Sequence, residues 1–415
     1  MSNEAKSPTI FYGWFVVAAC FAATFSLGEA MWSFGVFFKP LGNEFGWSRA
    51  LVSSGYTAFL IGHAISVIAT GRLSDRYSPR PILFTSAFLA GLGTSLCSQI
   101  HSINWLRIFL FIAGLGAGAT WSVPTSTVQR WFYRRPRAGL ALGIVVAGVG
   151  VGALVFTPLV NYMILSYGWR NAYLLIGILF FIIIALSSLV IKQSPVDTRT
   201  ASGKKTDMPN SISSQGWTTG NVMTTPSFAG ITFINCVGML AFHTVCVHLV
   251  PRAMDVGISP TASAAALGLL GGFSVPGRII SGFISDKIQW QRMLALACFG
   301  TALSILLLLF FFEGVWMLYC FVFFYGICHG SRVPAHLGIL GEFFGMGSVG
   351  ALIGITAAIA VFIGAFAPYL AGFIFDTTGS YFVAFMIVMV LLLSSGIIAS
   401  VMKKPVAPEW LSYDS

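Results

Sequence analysis

Residues 71–76 read Gly-Arg-Leu-Ser-Asp-Arg, and residues 282–287 read Gly-Phe-Ile-Ser-Asp-Lys, 211 positions later. Each stretch sits between two long apolar runs. The echo is not isolated. Val123-Pro124 returns as Val333-Pro334 at an offset of 210, Gly143-Ile144 as Gly354-Ile355 at 211, and Phe156-x-Pro158 as Phe366-x-Pro368 at 210. Four matches in order at nearly one offset mark an internal duplication, two copies of one architecture joined in tandem.

The runs around these motifs set the solvent. Segments such as ILFTSAFLAGLGTSL (82–96) and LLIGILFFIIIALSSLVI (174–191) are unbroken and lack the alternation of a barrel strand. Hydrophobic residues make up 56% of the 415, charged residues 9%, and the mean hydropathy is +0.85. That is too little charge to cover a water-facing surface. An all-α membrane protein is expected, because the backbone in lipid must satisfy its own hydrogen bonds. Twelve spans are read at roughly 11–38, 49–71, 81–100, 104–130, 138–164, 171–191, 226–251, 260–283, 292–312, 315–340, 347–375 and 380–402. The expected organisation is an N-terminal six-helix bundle (1–191), a polar cytoplasmic linker (192–225) and a C-terminal six-helix bundle (226–415). The first apolar run is too long for a signal peptide. The seven cysteines all lie in apolar runs with no CxxC spacing, so neither a disulfide framework nor a metal site is expected, and no cofactor.

Lysine and arginine give the orientation. With the N-terminus inside, 16 of the 23 fall on the cytoplasmic side, among them Arg72, Arg76, Arg130 and Lys287; five (Lys39, Arg49, Arg107, Arg170, Arg252) fall outside, and Arg278 and Arg332 lie within spans. Both termini are therefore expected in the cytoplasm, with the chain in the cell (inner) membrane. The net charge of +10 is parcelled into short loops and does not indicate nucleic acid.

Two six-helix halves in parallel, with the Gly-x-Leu-Ser-Asp-Arg loop between spans 2 and 3 and its echo between spans 8 and 9, resemble the major facilitator superfamily. Within it, FYGWFVVAACFAA at the first span, GLGAG…P in the fourth and RWFYRRPRAGLALGIVVAGVGVG entering the fifth resemble the monocarboxylate porter family of lactate and pyruvate proton symporters and oxalate:formate exchangers. The fifth-span stretch, Trp131-Phe132 through Leu140-Ala141-x-Gly143 to Ala147-Gly148, is the most specific piece; it departs from the family pattern by about two extra residues around Arg137. The resemblance implies alternating access, with Gly71, Asp75, Arg76, Gly282, Asp286 and Lys287 as cytoplasmic hinges where glycine lets helices approach and aspartate caps a helix end or pairs with a base.

An ionisable side chain inside a span is costly and so points to function. Arg278 lies about 12 Å above Asp286 at 1.5 Å per residue, and its fork matches a carboxylate. Its counterpart in the first half is Val67, and the resemblance implies that an arginine at this spacing holds the substrate carboxylate. Arg332 in HGSRVPAHLG precedes Pro334, with His329 and His336 one turn to either side; two arginines at one cavity favour a dianion, and the alternative is an ion pair with Glu342. The resemblance also sets against a dianion the missing span-11 lysine of oxalate exchangers. Trp121, near Pro124, is a candidate cavity wall. Glu29 is the sole acid inside a span. His243 falls 211 after Trp32, and the resemblance, in which spans 1 and 7 face each other, places it near Glu29. A buried carboxyl or an imidazole is suited to taking up and releasing a proton. Asp255 occupies a place where proton-coupled members of the family often carry an acid; a solvated loop charge is the alternative. The glycine pairs 114/118, 148/152 and 350/354 read as close helix packing.

The expected function is secondary transport of a small carboxylate, a monocarboxylate such as lactate or pyruvate first, with a proton; the partners are substrate, protons and the lipid bilayer. Anion exchange of the oxalate:formate type is the alternative, and a non-transporting receptor or sensor a second. An enzyme is not expected, since no metal cluster or nucleophile constellation is visible. In a background lacking native cysteines, cysteines introduced at 200 and 410 should react only with reagent on the cytoplasmic side, and one at 44 only from outside; reaction of 200 and 44 from one side contradicts the span count.

Overall fold

The computed structural model describes residues 11–132, 137–193, 217, 219–285, 288–310, 314–345 and 349–405. Span 1 is Gly13–Trp32 with Phe34–Phe45, span 2 Arg49–Arg76, span 3 Pro79–Leu96 and span 4 Ile103–Trp131. Spans 5 and 6 share the helical stretch Ala138–Val190. Span 7 is Pro226–Asp255, span 8 Pro260–Ser285, span 9 Trp290–Phe310, span 10 Gly314–Phe344, span 11 Val349–Ala365 with Ala367–Thr378, and span 12 Phe382–Val401.

Among the described residues, eleven helical stretches are long and apolar enough to cross a membrane, one of them the 52 residues Gly139–Val190. A straight helix of that length would reach about 80 Å, over twice the thickness of a bilayer core. It breaks at Gly168, whose φ of 80° and ψ of 159° are open to glycine and not to a residue with a Cβ. Twelve spans result. Local signals set other ends: Thr225 accepts the backbone N–H of Phe228 and Pro226 fills the first turn of span 7. Arg137 enters span 5 at φ 66°, the one non-glycine with positive φ among the described residues, where the fifth-span motif carries its extra residues.

The duplication is visible in the packing. Span 1 lies on span 5 and span 7 on span 11; span 2 lies on span 4 and span 8 on span 10; span 3 lies on span 6 and span 9 on span 12. Exposed Phe84, Phe88, Ile178, Ile182, Leu303 and Val390 make spans 3, 6, 9 and 12 an apolar outer wall, the surface a bilayer requires. The halves meet along two seams, span 5 against span 8 and span 2 against span 11. Small residues allow the close approaches: Gly148 and Gly152 face the backbone of Phe21 and Phe25, and Gly114 and Gly118 that of Phe59 and His63. Gly354 is a correction to the third expected pair, because a Cβ there would meet nothing within 4 Å.

The 192–225 segment also departs from a plain linker at its end. Thr219–Met223 is helical, and Trp217 is buried edge-on against Phe344 with ring centroids 5.7 Å apart. Gly152→Ala should destabilise the folded bundle by roughly 1–3 kcal/mol through overpacking, whereas Gly354→Ala should be neutral or slightly stabilising; thermal unfolding of the two purified variants checks the contrast.

Candidate functional site

The two ends of the bundle differ. The end away from the termini, the far end, is held by charge. Asp255, closing span 7, pairs with Lys39 Nζ at 2.7 Å and Arg49 Nη2 at 2.7 Å, both from the first half. Asp376 of span 11 accepts the backbone N–H groups of Arg49 (2.9 Å) and Ala50 (2.8 Å), the first residues of span 2. These donors have no partner within their own helix, and the helix dipole favours a carboxylate there. Arg49 also donates to Tyr381 Oη at 2.7 Å and lies 3.6 Å over the Phe375 ring. Tyr381 meets His248 Nδ1 at 2.9 Å, and His248 Nε2 lies 2.8 Å from the carbonyl of Pro368. The carbonyl can only accept, so the proton of neutral His248 sits on Nε2 and Tyr381 donates to Nδ1. Asp255 is thus part of a latch between the halves, a correction to the solvated-loop alternative.

At the terminal end the seams part. A Cβ added to Gly71, Gly143, Gly282 or Gly354, one on each seam helix, would meet nothing within 4 Å, whereas one on Gly372 at the far end would lie 2.7 Å from the backbone of Arg49. Among the described residues, the expected close helix approach is therefore not made at Gly71 in this state. Arg130 of span 4 donates to the Ser74 carbonyl at 2.6 Å, placing a cation on the end of span 2. Asp286 and Lys287 lie outside the described residues, as do the side chains of Asp75 and Arg76. Among the described residues, the halves are latched at the far end and stand apart at the terminal end.

Arg278 lies on the 5–8 seam, half-buried. Its Nη1 donates to the Val146 carbonyl of span 5 at 3.0 Å, and its Nε is buried without a partner. Arg332 is 2% exposed and folds against Gly238 of span 7, where any Cβ would collide with the guanidinium. Its Nη2 has no hydrogen-bond partner, and no carboxylate pairs with it among the described residues. Glu342 instead accepts the backbone N–H of Trp290 at 3.1 Å. Arg332 is therefore enclosed in the C-terminal bundle, a correction to two arginines lining one open cavity: the space at Gly238 admits the long side chain. His329 lies within electrostatic reach of both arginines and stacks on Phe242 at 4.7 Å. His336 turns away to Thr356 Oγ1 at 3.2 Å. Trp121 is half-buried at the edge of the main core.

Glu29 is buried and faces the interior of the N-terminal bundle, lining a cavity of about 30 Å³ with Tyr56, Thr94 and Tyr173. It does not meet His243, which is the correction to the expected pairing across the halves. His243 instead has Tyr56 Oη 3.4 Å from Nδ1, with His63 and Arg332 as electrostatic neighbours. His63, His248 and Tyr56 were not singled out by sequence. The two histidines carry the same signal as His243, an ionisable ring in an apolar span; Tyr56 and the aspartate at 376 carry none without the fold.

The sequence profile of the Major Facilitator Superfamily matches residues 19–312. The chain belongs to that superfamily of membrane transporters. Monocarboxylate transporter 13 of Bos taurus is 26% identical over 404 residues, covering 96% of this chain and 91% of its own length. An oxalate:formate antiporter of Oxalobacter formigenes is 25% identical over 280 residues, 66% of this chain and 64% of its own. Among solved structures, the xylose transporter from E. coli matches with a TM-score of 0.76 at 13% identity, covering 96% of this chain and 98% of its own, a likeness of fold.

Removing the Asp376 cap should weaken the far-end seal by about 1 kcal/mol, or about fivefold in population. In Asp376→Asn, a cysteine placed at the buried Ser53, beside His248, should react faster with reagent applied to the far side. Unchanged reactivity would mean that Asp376 does not hold the halves together.

Proposed function

We propose that this transporter moves a small monocarboxylate such as lactate or pyruvate together with a proton, by alternating access across the cell membrane, with the far end outside and the termini in the cytoplasm. The observation that carries this reading is Arg278: a guanidinium on the seam between the halves, with one donor on a backbone carbonyl of the opposite half and Nε unused. A fixed charge with free donors in a low-dielectric cleft calls for an anion. One such arginine at the opening, with Arg332 enclosed behind Gly238, favours a single carboxylate over two. His329 and Trp121 complete the substrate side, and Arg332 adds positive potential. The names of the curated relatives support the same substrate class.

Glu29, with His243, carries the coupled proton, and Asp255 gates the outer end through Lys39 and Arg49. The hinge residues 71–76 and 282–287 close the terminal end when the latch opens. The two halves, joined through 192–225, rock as six-helix bundles. Anion exchange is the competing reading, supported by the Oxalobacter relative; it requires a counter-anion inside the vesicle.

A thermal-shift series with pyruvate and lactate on purified protein tests the anchor, since a ligand stabilises the state it binds. Arg278→Lys keeps the charge and loses the fork, so affinity should fall about 10-fold or more, corresponding to roughly 1–3 kcal/mol for a charge-assisted bond. Wild-type binding by Arg278→Lys would remove Arg278 from the substrate site.

A further inference from the structure

Glu29 is buried, and every residue lining its cavity belongs to the first half. Its cavity, about 30 Å³, lies among spans 1, 2, 3, 4 and 6 and has room for a water or two, with the polar groups of Glu29, Tyr56, Thr94 and Tyr173 to hold them. A proton carried by Glu29 therefore needs a path through the wall of the N-terminal bundle. Tyr56 is that wall. It is buried, lines the cavity on one side, and on the other lies 3.4 Å from Nδ1 of His243 on span 7.

The hydrogen bonds fix where the protons are. Tyr56 donates to the Met31 carbonyl at 2.7 Å. A carbonyl cannot donate, so the phenol proton is committed there and the phenol oxygen faces His243 as an acceptor. Neutral His243 then carries its proton on Nδ1. Its Nε2 lone pair, buried and without a partner, is left open. The groups around Glu29 are Tyr56 from span 2, Cys97 beyond span 3 and Tyr173 from span 6; those around His243 are Tyr56 and His63 from span 2 and His329 and Arg332 from span 10. Among the described residues none of these is a second carboxylate, and the other bases are the imidazoles of His63 and His329.

We propose that Tyr56 is a relay residue, passing the coupled proton between His243 at the interface of the halves and Glu29 inside the N-terminal bundle. The inference rests on the reading of Glu29 as the proton site. A proton arriving at His243 Nε2 releases the Nδ1 proton to the Tyr56 oxygen, while the phenol's own proton swings from Met31 to cavity water and on to the Glu29 carboxylate. One proton enters and one is delivered. His243 ends neutral with its proton on Nε2, and the reverse sequence empties the site.

Infrared difference spectroscopy of the reconstituted full chain follows the carboxyl directly and needs no substrate. The protonated Glu29 C=O band is the one missing from Glu29→Gln. After a jump into D₂O, the band shifts as the carboxyl exchanges. In Tyr56→Phe, which keeps the ring and loses the hydroxyl, that exchange should slow about 100-fold or more, as for the loss of a positioned proton-transfer group. His243→Gln breaks the same path at an independent point and should slow it as well. Wild-type exchange in either variant overturns the relay while leaving Glu29 as the proton site. A spectrum in which Glu29→Gln removes no pH-dependent band overturns the proton reading itself, and the relay with it.

Discussion

The carboxylate of Asp376 reaches from span 11 onto the backbone N–H groups of Arg49 and Ala50, which span 2 leaves open at its start. Asp255 holds the neighbouring Arg49 and Lys39 side chains from span 7. These contacts lie on one end of the molecule and cross from one half to the other. They set the state in which the rest is seen. With the far end latched, the seam helices converge there, and the glycines at their opposite ends face open space. Because the contacts of Asp376 and Asp255 with span 2 and Lys39 join the halves, the bundles can separate there without unfolding. The cost of breaking the latch is electrostatic and local.

Charge inside the spans has a different logic. Lipid offers no solvation, so each lone charge is enclosed by its own bundle or placed where the halves meet. Glu29 is enclosed in the first half and Arg332 in the second, while Arg278 occupies the seam. A guanidinium on the seam changes its surroundings whenever the halves move, which is what a substrate site in an alternating transporter requires. Arg332 sees less of that motion. Its neighbours, Gly238, Cys298, Tyr325 and His329, all belong to the second half.

Much of this was legible in the residues. Unbroken apolar runs and the 211-residue offset lead to twelve spans in two halves, and the 148/152 and 114/118 glycines do pack against neighbouring backbones. The direction in which Glu29 points was not legible. In a soluble helix the polar face shows the outward side, but in lipid both faces of span 1 are apolar, and periodicity no longer orients a lone acid. Arg332 was placed at a cavity for the same reason; its seat depends on the absence of a side chain at Gly238, 94 positions away in sequence. The latch was beyond reach as well, since Asp376 and Arg49 are read separately as loop charges until the halves are docked.

In the proposed cycle, a carboxylate held on the seam crosses with a proton. The direct measurement uses sealed proteoliposomes, free of internal anion substrate, with radiolabelled pyruvate outside and the external medium made acidic. Proton symport produces transient accumulation of pyruvate above its external concentration, abolished by a protonophore, with matching alkalinisation outside. Uptake that appears only when the vesicles are preloaded with a carboxylate, and that ignores the proton gradient, would contradict it and make this chain an anion exchanger.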